Sequence, residues 1–170
     1  EVEGYLGGER DYTLIQGNTG PLVYPAGFLY IFSFFRLLTD EGKNIFTAQC
    51  LFCGIYLLNL AVVLFLYYKN GKIPAWFCAL LLFSKRIHSI YMLRMFNDCI
   101  AVLFGYIAVT FFLSKHWRVG SVFYSLAVSV KMNMFLFAPG IFTVWILSLG
   151  VKKTIECIAI CAIVQLVLGY

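Results

Sequence analysis

The sequence predicts an all-α polytopic membrane protein. Three observations carry the prediction. Of 170 residues, 62% are hydrophobic and 12% charged, whereas soluble domains average about a quarter charged, and the mean hydropathy is +0.87. The apolar residues fall into long runs, more than a single core could cover, so lipid must solvate much of the chain. The short polar loops between alternate runs are basic, as cytoplasmic loops are under the positive-inside rule.

Residues 1–25 form the one extended polar region, punctuated by the turn signals Gly7-Gly8, Gly17-Asn18 and Gly20-Pro21. They read as a loop outside the membrane. Residues 26–38 form an apolar helix, but at 1.5 Å per residue it reaches only about 20 Å, short of the roughly 30 Å of hydrocarbon. It is expected not to span but to lie at the interface or against other helices, so residues 1–44 stand apart from a bundle over 45–170.

The first full span is 45–68, ending in Tyr67-Tyr68 and then Lys69-Asn70-Gly71-Lys72, an aromatic pair followed by lysines. Pro74 opens a second span, 74–91, which ends near "RMFND" (94–98). A third, 99–113, returns to Lys115-His116-Trp117-Arg118. Residues 119–130 and 134–149 form two short spans around a break near Lys131-Met132-Asn133, with a single span broken at Pro139-Gly140 as the rival arrangement. The last span, 154–170, follows Lys152-Lys153. Loops 69–72, 114–118 and 150–153 are then cytoplasmic, and the polar first 25 residues lie on the other side. No signal-peptide pattern is legible at the start, and the final apolar run continues to the last residue, so the chain reads as an internal piece of a longer protein.

Six cysteines lie in or beside apolar runs. Cys50-Leu51-Phe52-Cys53 has half of a zinc-site spacing, but no second pair accompanies it, and the cysteines are expected to be core residues. No carboxylate pair occurs at ligand spacing, so no metal is expected.

Charges away from the cytoplasmic loops cost about 2.5–3.5 kcal/mol each at a helix centre. Lys85, Arg86, His88, Arg94, Asp98 and Lys131 all fall near the non-cytoplasmic ends of spans. On a helix through this region, Tyr91, Arg94 and Asp98 share a face, so Arg94 and Asp98 can pair, and an ion pair that merely hides two charges is the alternative to a binding role. Lys85, Arg86 and Lys131 are left without carboxylate partners in the membrane stretches. Unpaired cations at that surface suit a lipid phosphate, gripped bidentately by arginine and attracted by lysine as a point charge. Snorkelling to headgroups is the alternative for Lys85 and Arg86.

Three stretches, "DYTLIQGNTGPLVYPAGFLYIF" (11–32), "RIHSIYMLRMFNDCIAV" (86–102) and "SLAVSVKMNMFLFAPG" (125–140), carry a family resemblance. The chain resembles the endoplasmic reticulum dolichyl-phosphate-mannose-dependent α-1,3-mannosyltransferases of asparagine-linked glycosylation. The resemblance implies a GT-C-type helical bundle in the endoplasmic reticulum membrane. Residues 1–44 would then be the C-terminal part of the first luminal loop, carrying a short interfacial helix. The substrates it implies are dolichyl phosphate mannose and the five-mannose dolichol-linked oligosaccharide. Membrane lipid is the other partner, and neither cofactor nor nucleic acid is expected. The family's catalytic acid matches a position before Glu1, so no catalytic residue is assigned here, and Asp11 and Glu9 do not match it. Arg94 and Lys131 are the implied phosphate contacts, with His88 as a further donor. Asn97 and Asp98 would orient a sugar hydroxyl or Arg94, and Gln16 and Tyr24 are candidate substrate contacts.

Two other classes compete. A lipid-linked substrate transporter or scramblase would also place charges on a path through the membrane, but should show repeat symmetry that this chain lacks. A structural membrane subunit would leave the unpaired cations without a reason. Within the glycosyltransferase class, a relative with another acceptor is the remaining alternative.

Overall fold

The computed structural model describes residues 1–17, 20–71 and 74–169. Asn18 of the expected turn, Lys72 of the expected basic loop and Tyr170 at the end of the last expected span lie outside them. Most of the described residues are helical, as the composition predicts. A one-turn helix α1 (Val2–Leu6) and a ladder of β1 (Gln16–Gly17) with β2 (Gly20–Pro21) precede α2 (Ala26–Leu38). Then come α3 (Ile45–Asn70), α4 (Ala75–Leu82), and α5 (Lys85–His88), which runs on as a π turn over Ser89–Leu93. The rest is α6 (Asp98–Leu113), α7 (Trp117–Val130), a 3-10 turn Met132–Phe137, α8 (Ala138–Leu149) and α9 (Val151–Gly169).

Local chemistry explains the firmest boundaries. Asn44 caps α3, its side-chain oxygen accepting from the Thr47 N–H at 3.0 Å. Gly71 ends the helix in the left-handed region at φ 65°, where its N–H reaches the Tyr67 and Tyr68 carbonyls. Helix α2 starts behind Pro25 and has the bounds read from the sequence.

The expected continuous helix 74–91 is corrected. Helix α4 stops at Leu82, and the Ser84 hydroxyl caps a new helix by accepting from the Ile87 N–H at 3.4 Å. A second departure follows at once. Met95 takes a left-handed φ of 52°, and Lys85–Leu93 meets Asp98–Leu113 at a bend of 109°. Helices Ile45–Asn70 and Met132–Leu149 are long and apolar enough to cross a membrane, and the bent pair adds a third if it counts as one span. Pro139 falls in the first turn of α8, where its missing N–H costs nothing, so the chain does not break there.

Helix α7 lies at the centre, against α6, α9 and α2. Ser121, Ser125 and Ser129 follow each other at four-residue spacing and are all buried, giving the small-residue face that lets helices approach closely. The Ser125 hydroxyl donates to the Cys161 carbonyl at 2.8 Å, and the Gln165 amide donates to the Ser125 carbonyl at 2.7 Å. On α2, a Cβ added to Gly27 would stand 2.7 Å from the Ser129 carbonyl oxygen. Glycine is therefore what allows α2 to dock on α7. One core gathers Phe52, Tyr56, Cys99, Ile100 and Val130, and a second holds Ile15, Leu22, Phe28 and Leu29 beneath the polar loop.

Candidate functional site

The start of α6 and the end of α7 meet at an ion pair. Asp98 occupies the first turn of α6, where a carboxylate complements the positive end of the helix. Lys131 leaves α7 in extended conformation, φ −150° and ψ 120°, which turns its side chain away from the helix axis. Its Nζ donates to Asp98 Oδ2 at 2.6 Å, with the side chains 19% and 33% exposed. Two expectations are thereby corrected. Lys131 has a carboxylate partner, and Asp98 pairs with it rather than with Arg94. The physical reason is the bend: residues 94–97 are not helical, so the four-residue spacing no longer puts Arg94 and Asp98 on one face.

Neighbouring residues hold this junction. The Tyr124 hydroxyl donates to the Met134 carbonyl at 3.2 Å, tying the 3-10 turn back to α7. Asn59, buried within the apolar α3, donates to the Cys99 carbonyl at 2.7 Å and so fixes α3 against the first turn of α6. Asn97 precedes Asp98 and is buried, and its Nδ2 has no partner among the described residues.

His88 is half-buried, its ring edge-on to Tyr56 at 5.2 Å, and Tyr56 meets Tyr91 at 6.2 Å. Arg94 is exposed and, among the described residues, has no carboxylate at ion-pair distance. It lines a cleft of about 480 Å3 between the start of the chain, the end of α2 and the start of α3. Phe32, Phe35 and Phe52 share that cleft with Arg36, which pairs with Glu3 at 3.2 Å. Gln16 and Tyr24 line neither this cleft nor the groove described next. Gln16 is exposed in the β ladder opposite Pro21, and Tyr24 stacks on Phe28 at 4.7 Å.

A larger groove, about 780 Å3, runs between α6, α7 and α8. Its near end is Met134, three residues beyond Lys131, and its far end is Lys115. Val102, Val109, Phe112 and Ile141 are among the apolar walls between. Gly140 opens onto it with no atom within 4 Å of where a Cβ would stand.

Asp11, set aside as a base on the sequence, is held in the form least suited to take a proton. The Thr13 hydroxyl donates to its carboxylate at 2.7 Å and the Thr13 N–H at 2.9 Å, and these bonds lower its pKa. Among the described residues no group of three or more His, Cys, Asp and Glu gathers in a way that could hold a metal ion.

Sequence reasoning missed Arg36 and Asn59. For Arg36 a signal existed: it follows Phe28 and Phe32 at four-residue spacing, a lone charge on an aromatic helix face. For Asn59 the signal was a carboxamide amid the apolar residues of a span.

Comparison with known proteins gives a consistent answer. The family model described as "ALG3 protein" matches residues 1–170. A Drosophila melanogaster protein, "Dolichyl-P-Man:Man5GlcNAc2-PP-dolichol alpha-1,3-mannosyltransferase l(2)not2", is 51% identical over 99% of this chain and 35% of its own length. The Arabidopsis thaliana and Homo sapiens proteins named "Dol-P-Man:Man(5)GlcNAc(2)-PP-Dol alpha-1,3-mannosyltransferase" are each 44% identical over 99% of this chain, and 38% and 39% of their own lengths. The chain thus spans between a third and just under a half of the length of the curated relatives it matches. No solved structure matches.

Proposed function

The chain belongs to the ALG3 protein family, and from that premise we propose that the full-length protein transfers mannose from dolichyl phosphate mannose to the Man5GlcNAc2 glycan on dolichyl diphosphate, in α-1,3 linkage. The observation that carries this reading is the 44–51% identity to relatives of that name over 99% of the chain. The reaction is placed at the luminal face of the endoplasmic reticulum membrane, with loops 69–72, 114–118 and 150–153 cytoplasmic by their charge.

In the transfer, an acceptor hydroxyl oxygen forms a bond to the anomeric carbon of the mannosyl phosphate. The bond from that carbon to the phosphate oxygen breaks, the hydroxyl proton goes to a carboxylate base, and dolichyl phosphate leaves with the electron pair. No carboxylate of this chain is assigned as the base. The leaving phosphate gathers charge, and fixed donors that meet it there lower the barrier.

Arg94 is the residue best suited to that task, since its guanidinium has five donors and, among the described residues, no carboxylate partner. Lys131 spends part of its charge on Asp98, which leaves two N–H donors but little net attraction for an anion. The pair therefore serves better to orient substrate hydroxyls, Asp98 accepting and Lys131 donating, with Asn97 beside them. His88, fixed by Tyr56, supplies a further donor. The apolar groove lined by Met134 suits the isoprenoid tail of the donor.

The test is reconstitution of the full-length protein in vesicles with dolichyl phosphate mannose and the lipid-linked Man5GlcNAc2. The expected product carries one additional mannose that an α-1,3-selective mannosidase releases. Movement of the lipid-linked glycan across the bilayer without any transfer would instead identify a scramblase. Transfer only to a different acceptor would leave a related glycosyltransferase.

A further inference from the structure

We propose that the cleft between α2 and α3 is the binding site for neutral mannose units of the lipid-linked acceptor, with Arg36 and Glu3 as residues that bind sugar hydroxyls. The proposal rests on the mannosyl-transfer reading above for the identity of the glycan, and on the cleft itself for the chemistry.

Around Arg36 the charge balance of the cleft favours a neutral ligand, and only Arg94 at its edge is left to a phosphate. Besides Arg36 and Arg94, its walls carry Glu1, Glu3 and Glu41, so cations hold no surplus. A neutral polyhydroxyl ligand asks for the opposite of a cation cluster, namely donors and acceptors side by side. The Arg36–Glu3 pair offers that arrangement: one contact of 3.2 Å joins them, leaving further guanidinium N–H groups and the second carboxylate oxygen for a ligand. The Arg36 side chain is 23% exposed and so held in place, whereas Glu3 is 81% exposed and reachable.

The floor of the cleft supplies the other half of sugar recognition. Phe32 and Phe35, both half-buried, line it with their rings edge to face at 5.8 Å, and the buried Phe52 supports Phe35 from behind at 5.4 Å. A pyranose ring has one face lined with C–H groups, and such a face packs on the electron-rich face of an aromatic ring. At about 480 Å3 the cleft falls in the ordinary size range of ligand sites, about 300–1,000 Å3. The groove at α6–α8 suits this role less, because its walls are mostly apolar and its polar side chains, such as Tyr106, Lys115 and Ser148, are scattered among them. Arg94 stands in the wall of the same cleft, so a glycan bound there has its end beside the cation assigned to the donor phosphate.

The experiment uses the full-length protein in nanodiscs, with free Man5GlcNAc2 glycan as the probe. Binding affinity is measured together with the KM for each lipid-linked substrate. Arg36→Gln is expected to weaken glycan binding and raise the acceptor KM by about tenfold or more, as loss of a hydrogen-bonding charge does. The donor KM should stay within roughly twofold. Glu3→Gln should act in the same direction to a smaller extent; its exposure keeps it informative if Arg36→Gln fails to fold. Unchanged glycan binding in folded variants, or a rise confined to the donor KM, overturns the proposal. A wild-type protein that transfers mannose while these variants keep their acceptor KM removes the cleft and leaves the activity. One that binds the glycan through Arg36 but transfers nothing removes the activity and leaves the cleft.

Discussion

The cleft beside Arg36 and the groove beneath Met134 are built from the same helical scaffold but from opposite chemistry. The cleft sets two arginines and three glutamates beside aromatic rings, at the end of the molecule where the chain carries its polar loop. The groove runs along α6 and α8 with Lys115 as its one charged lining residue. A polar ligand would lose its water in the groove without replacement, and an isoprenoid would gain nothing from the charges of the cleft. The difference teaches that the two parts of a lipid-linked sugar can be sorted by wall chemistry alone.

The sharpest way to break this comparison lies at Arg94. Arg94→Glu in the full-length enzyme should lower kcat/KM by about 10²–10³-fold, the effect of removing a donor from a developing anion. Near-normal transfer by a correctly inserted variant would take the phosphate away from the cleft side. Next in size is the ion pair between the two regions. Lys131→Met leaves Asp98 partly buried and unpaired, a loss of about 1–3 kcal/mol once solvent screening is allowed for. Thermal unfolding in detergent should show that loss, and the double variant Asp98→Asn, Lys131→Met should recover most of the stability without recovering activity.

Gly27 tests whether the two regions move together. Gly27→Ala places a methyl against the Ser129 carbonyl and should destabilise the α2–α7 contact by about 1–3 kcal/mol. Hydrogen exchange should rise in α2 first, leaving α6 and α8 protected. Gly140→Phe is gentler, because its side chain enters open groove. It should raise the KM for a long-chain donor several-fold while sparing a short-chain analogue, and equal effects on both would remove the tail from the groove. The smallest effect is at Asp11. Its pKa is depressed, so the Thr13 bonds stabilise the loop fully above the ordinary value of 3.8 and lose that contribution as pH falls through the lower folded value. In Thr13→Val, amide protection at Leu14 and Ile15 should be lost at a higher pH than in the wild type.

Much of the fold was legible in the residues. The bounds of α2, the start of α3 at Ile45 and the end of α7 at Val130 follow from apolar length, Asn44 and the polar Lys131. The break at Ser84 and the bend at Met95 were not legible. A serine in an apolar run does not announce a cap, and a left-handed methionine has no sequence signal, since glycine is the residue expected there. The site inherits these omissions. Arg94, Asp98, His88 and Lys131 were all named from cost in the membrane and Asn97 from resemblance, yet their pairing depends on the 109° bend, which places Lys131 and not Arg94 against Asp98. Gln16 and Tyr24 were named from resemblance, and Tyr24 packs with Phe28 in the loop core.

The most direct test of the account is two-substrate kinetics on three full-length proteins: wild type, Arg36→Gln and Gly140→Phe. The account predicts that Arg36→Gln raises the KM for the lipid-linked acceptor alone and that Gly140→Phe raises the KM for the donor alone. Both variants raising the same KM, or a folded pair raising neither, would contradict it.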